Sequence, residues 1–140
     1  MNNIDEKYSE IINASKELGI IEQVSELIGD DKISILKKIK DKFVLDNPRV
    51  WWLSFKKKPK NYIFKDEYQY KRIVNFFNKK EICYFIAELD DLHIFKTSIG
   101  NIVNIINECS FFEYYIVNLS LTKLLCETDH GDLLFIDNIQ

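Results

Sequence analysis

The chain has 140 residues, a hydrophobic fraction of 46%, an aromatic fraction of 14% and a formal net charge of −3. That much apolar matter excludes intrinsic disorder, and the mildly acidic balance argues against a dedicated nucleic-acid binder, which carries a basic excess. No apolar run approaches the roughly 18 residues that a membrane span needs, and the polar first ten residues lack the apolar core of a secretory signal, so a cytoplasmic protein is expected.

The length suits one domain over residues 1–140, with a helical part at 1–46 and a sheet-bearing part at 47–140. Cys83, Cys109 and Cys126 are odd in number, widely spaced and free of any C-x-x-C pair. They predict reduced, mostly buried thiols rather than disulfides or a zinc knuckle. Heavy use of Ile, Asn and Lys matches the habit of AT-rich bacterial genomes.

In chain order, Ile4, Tyr8, Ile11, Ile12 and Ser15 recur at helical spacing, and Gly19 suits a left-handed helix stop. Ile20, Val24, Leu27 and Ile28 make a second short helical stripe before Gly29. Asp30 then offers an N-cap for a third helix, with Ile33, Leu36, Ile39 and Phe43 inward and its lysines outward. Asn47-Pro48 closes that helix, because proline disfavours helical geometry in the residue before it. Residues 50–55 (VWWLSF) are β-branched and aromatic and predict a strand, with Tyr62-Ile63-Phe64 pairing back on it. Asp66, with Gln69 three positions on, opens a helix whose inner stripe is Tyr70, Ile73, Val74 and Phe77.

Residues 82–88 and 92–96 read as two strands around Asp90-Asp91. Ser98 caps a helix reaching Cys109, with Ile99, Ile102, Val103, Ile106 and Cys109 on its apolar face. Strands follow at 113–119, 123–128 and 132–136, the last two joined through Asp129-His130-Gly131, where glycine supplies the positive φ of a tight hairpin. The expected class is α+β: N-terminal helices, then a largely antiparallel sheet of about five to seven strands, with two further helices packed on it and the helices on one side.

No catalytic signature is recognisable. The chain has no G-x-S-x-G, Walker loop or Rossmann fingerprint, and its four glycines are isolated, so no phosphate cradle and no cofactor are expected. The densest polar stretch, residues 126–132, mixes Cys126, Glu127, Asp129, His130 and Asp132. Strand alternation sends Cys126 and Thr128 to one face and Glu127 and Asp129 to the other, so a solvated hairpin is favoured over a metal site. The weak catalytic candidates are Glu127, His130 and His93, as in a small hydrolase or nuclease. They require convergence around one substrate. A Cys126–His130 pair lacks the helix N-terminus that would activate the thiol.

Lys56, Lys57, Lys58 and Lys60, with Lys65, form a basic loop flanked by Trp51, Trp52, Phe55 and Tyr62, the pattern of an RNA-contacting module. An acidic protein partner would meet that loop equally well. Trp51-Trp52 and Tyr114-Tyr115 are adjacent aromatic pairs on expected strands. One member of each faces solvent as a binding anchor unless both faces of the sheet are covered.

Val50-Trp51-Trp52 with Phe55-Lys56, then Phe111-Phe112-Glu113-Tyr114-Tyr115-Ile116-Val117, then Leu124-Leu125-Cys126-Glu127 with His130, resemble a family of small bacterial proteins of unknown function. In size and texture they are similar to the immunity partners of bacterial toxins. The resemblance implies a stand-alone, non-enzymatic domain that binds a protein partner by occlusion. The acidic residues Glu127, Asp129, Asp132 and Asp137 would steer a basic toxin toward it.

Overall fold

Three runs in the chain, Cys83 to Ala87, Tyr114 to Val117 and Leu124 to Cys126, have no polar alternation at all, and each forms the buried middle of a strand. A strand that is apolar at consecutive positions needs cover on both faces. A computed structural model describes residues 3–64, 69–89 and 91–138, and places those runs at the centre of a seven-stranded sheet. The strands are β1 (Ser25–Leu27), β2 (Lys60–Tyr62), β3 (Ile82–Glu88), β4 (Leu92–Ser98), β5 (Glu113–Asn118), β6 (Lys123–Glu127) and β7 (Leu133–Asp137). Their spatial order is β1-β4-β3-β5-β6-β7-β2, and every pairing is antiparallel.

The helices are α1 (Asn3–Glu17), α2 (Gly29–Phe43) and α3 (Ile99–Glu108). They do not share one side of the sheet, as the sequence reading expects. On the first face, Ile11 and Ala14 of α1, Ile99, Ile102 and Ile105 of α3, and Ile73 and Phe77 pack against Phe85, Phe95, Tyr114, Ile116 and Leu125. On the second face, Ile39 and Phe43 of α2, with Val44 and Trp51, cover Ile86, Ile94, Tyr115, Val117 and Cys126. The α+β class holds, with the sheet as the middle layer. No helix among the described residues is long and apolar enough to cross a membrane.

Several local expectations give way to this layering. The stripe at Ile20, Val24, Leu27 and Ile28 is not a helix. It forms a 3-10 turn at Ile21–Gln23 followed by edge strand β1, which pairs with β4. The N-terminal part therefore supplies a strand to the sheet, and residues 1–46 are not purely helical. Residues 50–55 are not a strand either, because Trp51–Leu53 winds into a 3-10 turn over the second face. A turn lets Trp51 drop onto Tyr115, 4.9 Å between ring centroids, whereas an extended segment would need a sheet partner that β4 and β7 already have. Lys60–Tyr62 consequently pairs with β7 rather than with residues 50–55.

Gln69–Asn75 is 3-10 rather than α-helical, with Ile73 and Phe77 buried and Val74 exposed. The side chain of Ile4, and Lys65, Asp66 and Asp90, lie outside the described residues. Asp30 sits in the first turn of α2 without capping it, and Ile33 is exposed.

Other expectations match their sites. Gly19 has φ 72°, and the amides of Gly19 and Ile20 close back on the carbonyls of Lys16 and Ser15. This is the paired hydrogen-bond pattern that ends a helix at a left-handed residue. Ser98 is the N-cap of α3, its Oγ accepting from the Asn101 amide at 3.2 Å. The buried stripe of α3 runs through Ile99, Ile102 and Ile105, with Val103 and Ile106 only partly covered. Ser98→Ala is expected to cost about 1 kcal/mol of stability, as loss of a serine cap does. The urea midpoint would report it, falling with an unchanged slope.

A candidate functional site at one end of the sheet

Register places the chemistry. His93, Ala87, Tyr114, Glu127, Leu133 and Tyr62 are successive partners in one row across the sheet. One residue further out, on the opposite face, Glu88 stands opposite both Leu92 and Glu113. The turns after β3 and after β6 thus leave from the same end of the sheet. That end carries His93, Glu127, Asp129, His130 and Asp132, whereas Asp137 and the Lys57 bonded to its carbonyl lie toward the other end.

On the first face, the Tyr114 hydroxyl donates to Glu127 Oε1 at 2.7 Å, and both residues are buried. Burial raises the Glu127 carboxyl above its ordinary range, and the Tyr114 hydrogen bond opposes that rise. Burial, then the Glu127 charge, pushes the Tyr114 hydroxyl well up. His93 lies three strands away in the same row, about 14 Å at ordinary strand spacing. It is also engaged elsewhere: Nδ1 is 3.5 Å from Glu26 Oε2, and its ring lies 4.8 Å from that of Tyr8. Tyr8 donates to the other oxygen of Glu26 at 2.6 Å. His93 and Glu127 therefore do not meet.

His130 rides the β6–β7 turn, where the Gly131 amide bonds the Thr128 carbonyl at 3.0 Å and Gly131 takes φ 80°, as expected for that glycine. Its side chain is 72% exposed, with Nε2 3.5 Å from Asp129 Oδ1 and the ring edge-on to Trp52 at 6.1 Å. Glu127 and His130 both border an open cleft of about 380 Å³, together with Ile63, Phe111, Asp129 and Asp132. No hydrogen bond joins the two. Glu127 is held by Tyr114, while the imidazole leans toward the Trp52 indole.

Burial disfavours the thiolate form of all three cysteines. Burial pushes Cys126 well up and takes Cys83 and Cys109 to about 12. A thiolate is the reactive form, so none of them is poised to attack. Among the described residues, no three His, Cys, Asp or Glu side chains are disposed to hold a metal ion.

The second face holds a pair that the sequence reading missed. Glu88 and Glu113 are directly opposed on β3 and β5, both half-buried. Trp52 Nε1 donates to Glu113 Oε2 at 3.3 Å. On the same face the Tyr115 hydroxyl is buried beside the Trp52 backbone. Each glutamate closes or opens an apolar strand, which marks it as a strand end. Only the pairing of β3 with β5, two strands separated by a hairpin and a helix, reveals that the carboxylates face each other.

Of the expected binding residues, Trp51, Tyr114 and Tyr115 are core, 7%, 1% and 0% exposed, so they are not solvent-facing anchors. The physical reason is the second cover of α2 and the Trp51–Leu53 turn. Trp52 is half-buried against Glu113. Lys56, Lys57 and Lys58 are exposed, Lys56 donating to the Asp41 carbonyl and Lys57 to the Asp137 carbonyl at 2.6 Å. Lys57, Lys58 and Lys60 border a separate cleft of about 310 Å³ with Tyr62 and Asp137. Its aromatic residues are Tyr62 and Phe135, not the expected Trp51, which is in the core, or Trp52, which faces Glu113. No protein-family model matches this chain, and no curated protein or solved structure matches it either.

Glu88 titrates unusually. Burial first, then the Glu113 charge, pushes its carboxyl from the ordinary 4.5 to about 7, with Arg49 opposing and Asp91 adding. The folded protein therefore keeps this proton to a higher pH than the unfolded chain. The associated stability is fully present below pH 4.5 and is lost as the pH rises through about 7. Glu88→Gln should remove that loss. In thermal melts its advantage over wild type is expected to grow between about pH 5 and about pH 8 and then level off.

Proposed function

We propose that this domain acts by contact, holding a basic protein partner against the acidic cleft at the β6–β7 turn, in the manner of an immunity-type protein that occludes a toxin. The observation that carries the reading is the cleft's composition. Phe111 and Ile63, 51% and 75% exposed, stand beside Glu127, Asp129 and Asp132. Large apolar side chains left in water next to like-signed charges fit an interface that supplies both burial and a cationic complement. The acidic residues would speed encounter with a positively charged partner, and Phe111 would provide the area that slows its departure.

The hydrolase or nuclease alternative draws on Glu127 and His130 bordering one cleft. Against it stand the Tyr114 hydrogen bond that occupies Glu127, the outward lean of His130 and the distance of His93. The RNA alternative draws on Lys57, Lys58 and Lys60, whose cleft is lined by two aromatic rings, Tyr62 and the partly buried Phe135.

Two variants test the contact reading: Asp129→Lys with Asp132→Lys, and Phe111→Asp with Ile63→Asp. Proteins retained by the immobilised wild type and lost by both would be purified and titrated calorimetrically. A cationic partner is expected, with affinity falling at least about tenfold in each variant and weakening as salt is raised. Unchanged binding in both variants, or turnover of a phosphodiester or ester substrate that Glu127→Gln abolishes, would overturn the reading.

A further inference from the structure

Strand β2 is the last in the sheet order, so among the described residues no other strand meets its outer edge. Lys60 and Asn61 on that edge are exposed. The two ends of the strand differ in sign. Before it come Lys57 and Lys58, which with Lys60 border the basic cleft. After it comes Ile63, 75% exposed, which borders the cleft of Glu127, Asp129 and Asp132. Register fixes this layout. Tyr62 stands opposite Leu133, next to Asp132, whereas Lys60 stands opposite Phe135 and Lys57 reaches the Asp137 carbonyl. Asp132 is close to the strand itself, with its Oδ2 3.5 Å from Asn61 Nδ2.

Separation matters here. Asp132 and Asp137 mark the two ends and stand roughly 17 Å apart at ordinary strand rise. Physiological salt screens charges beyond about 8 Å, so the two zones of one chain scarcely satisfy each other. A lysine on an edge ordinarily repels a neighbouring edge. That holds for a second copy lying parallel, which would set basic end beside basic end. An antiparallel copy reverses the match. Each basic end then meets an acidic end, and two-fold symmetry makes the contact twice. Paired strands lie about 5 Å apart, inside the screening length.

We propose that β2 is a self-docking edge, along which a second copy of this chain pairs antiparallel in a closed two-fold dimer. Lys58 and Lys60 of one copy lie at the Asp129 and Asp132 rim of the other, and the contact covers the exposed Ile63. Pro59, which has no N–H to donate, limits the ladder at the basic end. A three-residue strand makes a small interface beside the roughly 800 Å² per partner of a stable complex. The dimer is therefore reversible and sensitive to salt. It goes beyond the partner reading, although the second copy shares the rim of the same cleft.

Sedimentation equilibrium of the full chain, from about 10 µM to about 1 mM, is expected to show monomer and dimer only. The dissociation constant should be of the order of 100 µM at about 50 mM NaCl, and at least about tenfold weaker at about 500 mM. Lys58→Glu with Lys60→Glu gives a chain with two acidic ends, and Asp129→Lys with Asp132→Lys gives one with two basic ends. Each alone should dimerise at least about tenfold more weakly than wild type. Their equimolar mixture should recover a dimer at least as tight as wild type, which also shows that both variants fold. Monomer throughout the range, species larger than a dimer, or a mixture no tighter than either variant would each overturn the proposal. The Lys58, Lys60 variant keeps the acidic cleft. Retention of a basic partner by that variant, beside a mixture that fails to pair, would sink the dimer and leave the partner reading standing.

Discussion

Burial of the central strands on both faces is the constraint from which the other features follow. β3, β5 and β6 keep Cys83 to Ala87, Tyr114 to Val117 and Leu124 to Cys126 away from water without alternation, so each needs two separate covers. α1, α3 and the Gln69–Asn75 turn supply one, and α2 with the Trp51–Leu53 turn supplies the other. At roughly 25 cal/mol per Å² of apolar surface removed from water, two covered faces provide the main driving force for a chain of this length. The same layering explains why β1 and β2 are three-residue strands placed at the two edges. Short edges leave only a few residues of unpaired backbone at each side of the sheet.

A sheet closed on both faces has few places for polar chemistry, and this one gathers it at the end where the β3–β4 and β6–β7 turns emerge. On the first face the solution is a satisfied pair, with Tyr114 donating to Glu127. On the second, Glu88 and Glu113 stand directly opposed, and the Trp52 indole donates to Glu113. The same desolvation that raises both Glu88 and Glu127 thus has different consequences on the two faces. Where a donor is in place, the carboxylate is structural. Where a like charge stands opposite, burial and that charge together hold the Glu88 carboxyl well above its ordinary range.

Charge is distributed unevenly over the clefts. The edge strand β2 separates two clefts of opposite character. One is bordered by Lys57, Lys58 and Lys60, and the other by Glu127, Asp129 and Asp132 with the exposed Phe111 and Ile63. A net charge of −3 conceals this separation, because the two zones largely cancel in the sum. Encounter rates depend on the local field near each cleft rather than on the total.

By itself the sequence determined the elements whose signals are local. α1 with its stop at Gly19, α3 with its Ser98 cap, the β3–β4 hairpin strands, the three last strands and the glycine of the final turn all rest on propensity, periodicity and φ within a few residues. Only the tertiary structure decided what depends on distant partners. The sequence reading put the helices on one side of the sheet; cover on the second face placed Trp51, Tyr114 and Tyr115 in the core and turned residues 50–55 from strand into turn. The helical stripe at Ile20 to Ile28 became edge strand β1 because β4 offered a free row of backbone hydrogen bonds, a fact held some seventy residues away. The opposition of Glu88 and Glu113 arose because β3 pairs with β5 across an intervening hairpin strand and helix. No local propensity encodes which strands become neighbours, since that choice follows from burying every apolar run at once.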